Sequence, residues 1–447
     1  MTTTPAVEPW LTAQRRRSDL CVERLPITGC PDWAWDGTSW RHVQGRYFSV
    51  VGVAARIGTE RLIEQPMIDQ PEIGVLGFLV RCTGSAREWL LQAKTEPGNV
   101  LGTQVGPSVQ ATLSNYQRVH GGRATPMIEC FVGQPPVGTR RWSDSLQSEQ
   151  GDRFLGKYNR NALVELPRGH PGIAADAWAW FPAHAVRDAL LADYAVNTDA
   201  RSVMVCSPWD WLADSGATAF SRWRGRGGFG EALYGSLNTA AGITRPDAVG
   251  PHLEAARARH PTTLEHRAIE RLNGWRIEPF GVFPNDDQAS FSVQAFAVRA
   301  SDREVSQWSQ PLLVGGRATT VSLLCTRWDG VLHALLRCAA EPGLRDVVQL
   351  GPSDIDDPLH ERLSWLPAVL SDPRCERRVA VRQSDEGGRF MRSAALYQVV
   401  EADPQLLPRQ DADAVWLTLG QIQALALRDG QLTNEARSVL SLLLSWA

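Results

Sequence analysis

The strongest constraint on this chain is that its second half repeats its first. Slid against itself, the sequence aligns FSV at 48–50 with FSV at 291–293, then QPMIDQPEIGVLGFLVRCTGSAREWLLQAKTEPGNVLGTQVGPS (65–108) with QPLLVGGRATTVSLLCTRWDGVLHALLRCAAEPGLRDVVQLGPS (310–353), without a gap. The shared residues include Gln-Pro, Leu-Leu, Glu-Pro-Gly, Gln104 with Gln349, and Gly-Pro-Ser. The offset then falls by nine residues, and QSEQGDRF (147–154) meets QSDEGGRF (383–390) while NTDARSV (197–203) meets TNEARSV (433–439). Self-similarity at a fixed offset marks a duplicated structural unit. The 447 residues are therefore expected to form two modules, 1–205 and 206–447, instead of the roughly three domains that length alone suggests.

Each module reads alike at low resolution. YFSVVGVAARI, IGVLGFLVRC and EWLLQAKT are short apolar-rich runs bounded by Gly, Pro or Ser, as expected of strands in a covered sheet. Glu-Pro-Gly turns the chain. HAVRDALLADYAVN and TLGQIQALALRDGQL carry apolar residues at helical spacing, and a second helix is expected from Asp199-Ala-Arg and from Glu435-Ala-Arg. Between the modules, GPHLEAARARHPTTLEHRAIERLNGW reads as amphipathic helix. The expected class is α+β, a mixed sheet flanked by helices, used twice.

Composition narrows the function. With 46 basic against 49 acidic side chains the chain has no basic footprint for nucleic acid. It has no apolar run of about 18 residues to span a membrane, and its first residues show no secretory signal, so a cytoplasmic protein is expected. Eight scattered cysteines without a C-x-x-C pair argue against a zinc site or a disulfide framework. Gly-rich GRGGFG (225–230) lacks phosphate-loop spacing and reads as a loop. Arginine outnumbers lysine 44 to 2, so Lys94 and Lys157 draw attention.

Polar residues present in one copy and apolar in the other are not required by the fold. Gln92, Lys94 and Thr95 face Arg337, Ala339 and Ala340; Lys157, Asn159, Arg160 and Asn161 face Ser393, Ala395, Leu396 and Tyr397. The nine residues missing from the second copy fall in the interval that holds VQATLSNYQRVHGG (109–122) in the first. Chemistry is therefore expected in module 1–205, with 206–447 supporting it or holding ligand in a degenerate site.

The strings IDQPEIGVLGFLV, LLQAKTEPGN, VGPSVQATLSNYQRVHGG and LQSEQGDRFLGKYNRNALVE resemble the NDP-hexose 2,3-dehydratases of actinomycete deoxysugar biosynthesis. The likeness spans nearly the whole chain; module two departs from it at GPSDIDDP and in lacking the Asn-Arg pair. The resemblance implies Nudix-like modules without the Nudix magnesium-binding string, no cofactor, no metal and a homodimer. It also implies a nucleoside diphosphate 4-keto-6-deoxyhexose substrate, usually the thymidine form. A base removes the C3 proton beside the C4 ketone, the enolate expels the C2 hydroxyl, and the enol tautomerises to a 3,4-diketo sugar. This needs a base, an enolate donor and an acid.

Lys94 is a candidate base, enolate stabiliser or phosphate contact. Tyr116 could donate to the ketone oxygen or the leaving hydroxyl. Glu149 and Glu96 are candidate bases, although both have acidic counterparts, Asp385 and Glu341. Arg153, Lys157 and Arg160 are candidates for the diphosphate, and Gln65, Gln92, Gln104, Gln110, Thr112, Ser114, Asn115, Asn159 and Asn161 for the sugar or base. A non-catalytic nucleotide-sugar binding protein and a Nudix-type hydrolase stay open beside the lyase.

Overall fold

The computed structural model describes residues 6–447 apart from 46, 60, 85, 118–123, 240–241, 287–290, 302–304 and 358–359. The fold is α+β, with sheets predominating over short helices, and the two halves carry the same strand order. In the first half, one seven-stranded sheet runs 140–148, 158–165, 74–83, 86–95, 178–182, with 103–106 on strand 86–95 and 109–111 on strand 74–83. Its counterpart runs 376–384, 394–401, 319–328, 331–340, 414–417, with 348–351 and 354–355 added in the same places. Both are mixed: 158–165 lies parallel to 74–83, and 394–401 lies parallel to 319–328.

The remaining strands build two six-stranded sheets, and here the halves trade. Strand Cys21–Leu25 of the first half pairs with Phe291–Arg299 of the second, and Thr262–Arg267 of the second pairs with Ser49–Ile57 of the first. The stretch 250–275, expected to be amphipathic helix, is thus α-helical only within Val249–Arg259, with a single 3-10 turn at Ile269–Arg271. His260 caps it and Pro261, next in the chain, disfavours helical backbone at His260, and residues 262–267 largely alternate in exposure as an edge strand does. The loop expected at 225–230 gives way early to a helix over Gly228–Leu237. HAVRDALLADYAVN is helical only over Ala183–Ala189, and a second helix, Thr198–Val205, is capped by the Asn197 side chain accepting from the Ala200 amide.

One hydrophobic cluster takes residues from both halves, Phe78, Trp89, Leu163 and Val203 with Leu323, Leu336, Val399 and Leu440. The repeated motifs lie where the halves meet. In each Glu-Pro-Gly turn the glycine amide donates across the junction: Gly98 to the Gly387 carbonyl at 2.8 Å, Gly343 to the Gly151 carbonyl at 2.6 Å. A Cβ on Gly98 would overlap the Phe390 carbonyl, and one on Gly343 the Phe154 carbonyl. Gln104 Nε2 donates to Ser384 Oγ at 2.8 Å, while Ser148 Oγ donates to Gln349 Oε1 at 2.8 Å, the same bond in mirrored roles. The buried Gly-Pro-Ser serines tie strand to strand: Ser108 Oγ accepts from the Leu79 amide at 2.8 Å, and Ser353 Oγ from Leu324 at 2.7 Å. Arg201 and Arg437, both fully buried, each donate to main-chain carbonyls and to a serine of the other half.

Candidate active site

A cavity of about 710 Å³ opens on the polar face of the first half's seven-stranded sheet. Strand alternation puts it there. In Ala86–Thr95, Leu91 and Ala93 turn into the core, so Gln92 and Lys94 point the other way and line the cavity. In Tyr158–Glu165, Asn159 does the same. Gln110 and Thr112 enter from the chain at 109–112, and Trp33, Tyr47, Phe48 and Trp178 supply aromatic surface.

Lys94 Nζ donates to the Gln110 carbonyl at 3.2 Å and lies 4.0 Å from Glu96 Oε1. Gln110 bridges, donating to Glu96 Oε1 at 3.4 Å and accepting from Asn197 Nδ2 at 3.3 Å. Glu149 is held at both oxygens, by Asn159 Nδ2 at 2.7 Å and by Asn434 Nδ2 of the second half at 3.1 Å. Burial raises its pKa, opposed by the Arg437 charge and the two amides. Lys157 donates to the Glu72 carbonyl, and burial lowers its pKa to about 8 against the pull of Glu149. Asp199, at the start of helix Thr198–Val205, is pushed well above the usual carboxylate range by burial and by the charges of Glu149, Glu386 and Glu96.

The second half closes the cavity. Val305, Gln307, Trp308, Ser309 and Gln310 come from one segment, and Glu386, Gly388 and Arg389 from another. Arg389 stacks over the Phe48 ring with its guanidinium carbon 4.1 Å from the centroid, and its Nε donates to Gln70 Oε1 at 3.1 Å. Glu386 lies among Glu96, Glu149, Lys94 and Arg389, and burial first, then the neighbouring carboxylates, push its pKa to about 7.

Of the residues singled out in sequence, the cavity gathers Gln92, Lys94, Glu96, Gln110, Thr112, Glu149, Lys157 and Asn159. Others lie elsewhere. Gln65 donates to the Asp152 carbonyl and Gln104 to Tyr194 and Ser384, both as ties between segments. Ser114 caps onto the Glu72 carboxylate through its amide at 2.8 Å and its hydroxyl at 3.1 Å. Tyr116 packs against the apolar cluster of Val75, Val109 and Phe131. Arg153 pairs with Asp152 at 2.6 Å and lies over Phe291; Arg160 is engaged by Asp144 and by the Phe131 carbonyl; Asn161 donates to Ser202 Oγ at 2.7 Å. The Asn115 side chain and His120 lie outside the described residues.

Asp199, Glu386, Arg389, Trp178 and Trp308 were missed. Polar residues unique to the first copy were sought, whereas Glu386 is a residue unique to the second: it aligns with Gln150 in the paired Gln-Ser strings. The same comparison run in the other direction exposes it.

In the second half the matching positions hold Arg337, Ala339, Ala395 and Tyr397, with Glu341, Asp385 and Glu435 keeping the acids. All are wholly or partly buried, and among the described residues Arg337 Nε and Nη2 have no hydrogen-bond partner.

Carboxyls with shifted pKa values, two amines, side-chain amides and aromatic faces around one enclosed space define an acid–base enzyme of a polar small molecule. The model of the NDP-hexose 2,3-dehydratase family matches residues 4–207 and again 247–443. The chain belongs to that family. It is 31% identical to a dTDP-4-dehydro-6-deoxy-alpha-D-glucopyranose 2,3-dehydratase of Amycolatopsis orientalis, over 98% of this chain and 89% of the relative. Proteins of the same description from Saccharopolyspora spinosa and Streptomyces violaceoruber are each 32% identical, covering 98% and 99% of this chain and 91% and 97% of theirs.

Proposed function

We propose that the protein is a lyase that dehydrates dTDP-4-keto-6-deoxy-D-glucose across C2 and C3, giving a 3,4-diketo-2,6-dideoxy sugar nucleotide. The observation that carries this reading is the convergence of Lys94, Lys157 and four of the cavity's six carboxyls, Glu96, Glu149, Asp199 and Glu386, in a chain of this family. The substrate's ketone is its own electron sink, so the chemistry reduces to moving protons and holding charge. Lys94, on the strand face, stabilises the developing enolate oxygen. Glu149, whose pKa is raised by burial, gives a proton to the departing C2 hydroxyl. Lys157 and Arg389 meet the diphosphate. Gln92, Gln110, Thr112 and Asn159 read hydroxyls, and Trp33, Trp178 or Trp308 offers a face to the pyrimidine.

On this reading the halves are a tandem of Nudix-like modules, 1–205 working and 206–447 degenerate, and two chains pair as a homodimer in the cytoplasm. Incubation with dTDP-4-keto-6-deoxyglucose in heavy water, without added metal or nicotinamide, tests the reaction. Loss of one water with disappearance of the C3 proton signal is expected. Binding without water loss leaves a nucleotide-sugar binding protein instead, and light scattering of the purified protein reads the oligomer.

A further inference from the structure

The base that starts the reaction is the unassigned role, and the cavity offers six acids: Asp32, Glu72, Glu96, Glu149, Asp199 and Glu386. Their engagements separate them. Asp32 accepts from the Ser309 amide at 2.8 Å and hydroxyl at 2.7 Å, and Glu72 caps the short helix at Ser114. Glu149 accepts at both oxygens. Glu96 accepts from Gln110 and lies beside Lys94. Asp199 lies buried in the first turn of its helix, and burial with the neighbouring acids raises its pKa. The Glu386 carboxyl receives no hydrogen bond among the described residues, yet it lines the cavity.

Two further observations point at the same side chain. The first is the residue beside it. A Cβ at Gly388 would overlap Glu386 Oε1 and come within 3.6 Å of Glu96 Oε1, so the bare glycine leaves the space in which these two carboxyls face each other. The second is the duplication. Glu96, Glu149 and Asp199 have acids at their counterparts, Glu341, Asp385 and Glu435, whereas Glu386 is matched by Gln150. Both loops cross the junction. Gln150 reaches the second half, where its Nε2 donates to Asp385 Oδ1 at 3.0 Å, and an amide there cannot take a proton. The loop that reaches the lysine-bearing cavity carries the carboxylate.

We propose that Glu386, delivered by the second half into the first half's cavity, is the catalytic base that removes the C3 proton. The proposal rests on the dehydratase reading given above. The carboxylate takes the proton as the C3–H electron pair forms the C3–C4 double bond of the enolate. The enolate then restores the C4 carbonyl, the C2–C3 double bond forms, and the C2–O bond breaks, the hydroxyl leaving as water with a proton from the acid. Glu386 is left protonated and returns that proton to C2 as the enol becomes the 3-ketone, while the enol's O3 proton restores the acid, so nothing but water is lost. Burial and the neighbouring Glu96, opposed by Arg389 and Lys94, place its titration near the pH at which a general base works best.

Glu386→Gln keeps shape and removes basicity; Glu386→Asp keeps basicity and withdraws it by one methylene. For Glu386→Gln, kcat is expected to fall by about 10²-fold or more, with KM within a few-fold of wild type and no exchange of the C3 proton in heavy water. In wild type kcat is expected to rise with pH through about 7, and Glu386→Asp should retain that limb at reduced kcat. Glu386→Gln turning over at the wild-type rate, or still exchanging C3, would overturn the proposal while leaving the dehydratase reading intact. Wild-type protein that binds the nucleotide sugar without releasing water removes the reading itself, and the proposal falls with it.

Discussion

At the scale of single residues, the two lysines behave differently although both stand in an arginine-rich chain. Lys94 sits on a strand face with its amine on the Gln110 carbonyl, so it is rigidly aimed. Lys94→Ala is expected to lower kcat by about 10²-fold or more, with an unchanged circular dichroism spectrum; wild-type turnover in that variant would remove its assignment. Lys157 is buried and holds its proton only below about pH 8. Its charge is present for the diphosphate below that pH and is lost as pH rises through it, so KM should climb above pH 8. In Lys157→Arg, whose cation persists, a steady-state titration should show a flat KM over the same range. These residues were legible because their counterparts are Ala339 and Ser393. Arg160 and Asn161 looked equally good by that criterion and turn out to serve Asp144 and Ser202, since a polar-to-apolar change between copies marks a changed environment, whether of ligand or of neighbours.

At the scale of elements, strand alternation and turn chemistry read correctly where the strand is central and nearly all buried, as in Gly74–Thr83. They failed at Thr262–Arg267, whose half-exposed, charged sequence gives no apolar period and follows a real helix. Its partner is set by a contact far along the chain: Gly52 must lack a Cβ, which would run into the Arg267 carbonyl. Gly52→Ala should therefore displace the traded strand and cost about 1–3 kcal/mol in urea denaturation. Ala substitution at Gly45, where nothing lies within 4 Å, meets no such collision, although its positive φ of 64° brings local strain.

At the scale of the whole molecule, the common cluster of Phe78 and Trp89 with Leu323 and Leu336 leaves no boundary along which the halves could part cleanly. Calorimetry is expected to give one cooperative transition with matching calorimetric and van't Hoff enthalpies. Fragments 1–205 and 206–447 made separately should be insoluble or unfolded, each lacking a strand of its own sheet. The repeat announced two like modules, but nothing in a one-dimensional comparison says which copy's loop enters which copy's pocket. That is why Arg389, whose counterpart is Arg153, escaped notice while Lys94 did not.

The crossing loops have a further consequence for how such a chain can change over time. On the proposed reading, in which the second half has lost its own chemistry, that half would ordinarily be expendable, yet it gives an acid and a guanidinium to the first half's cavity and takes a strand in exchange. Deletion is closed to it, and reversion to a single-copy ancestor would demand that two identical chains associate and swap the same parts. The second half is thereby hostage to the first, bound to keep Gly343, Gln349, Glu386 and Gly388 where the two meet.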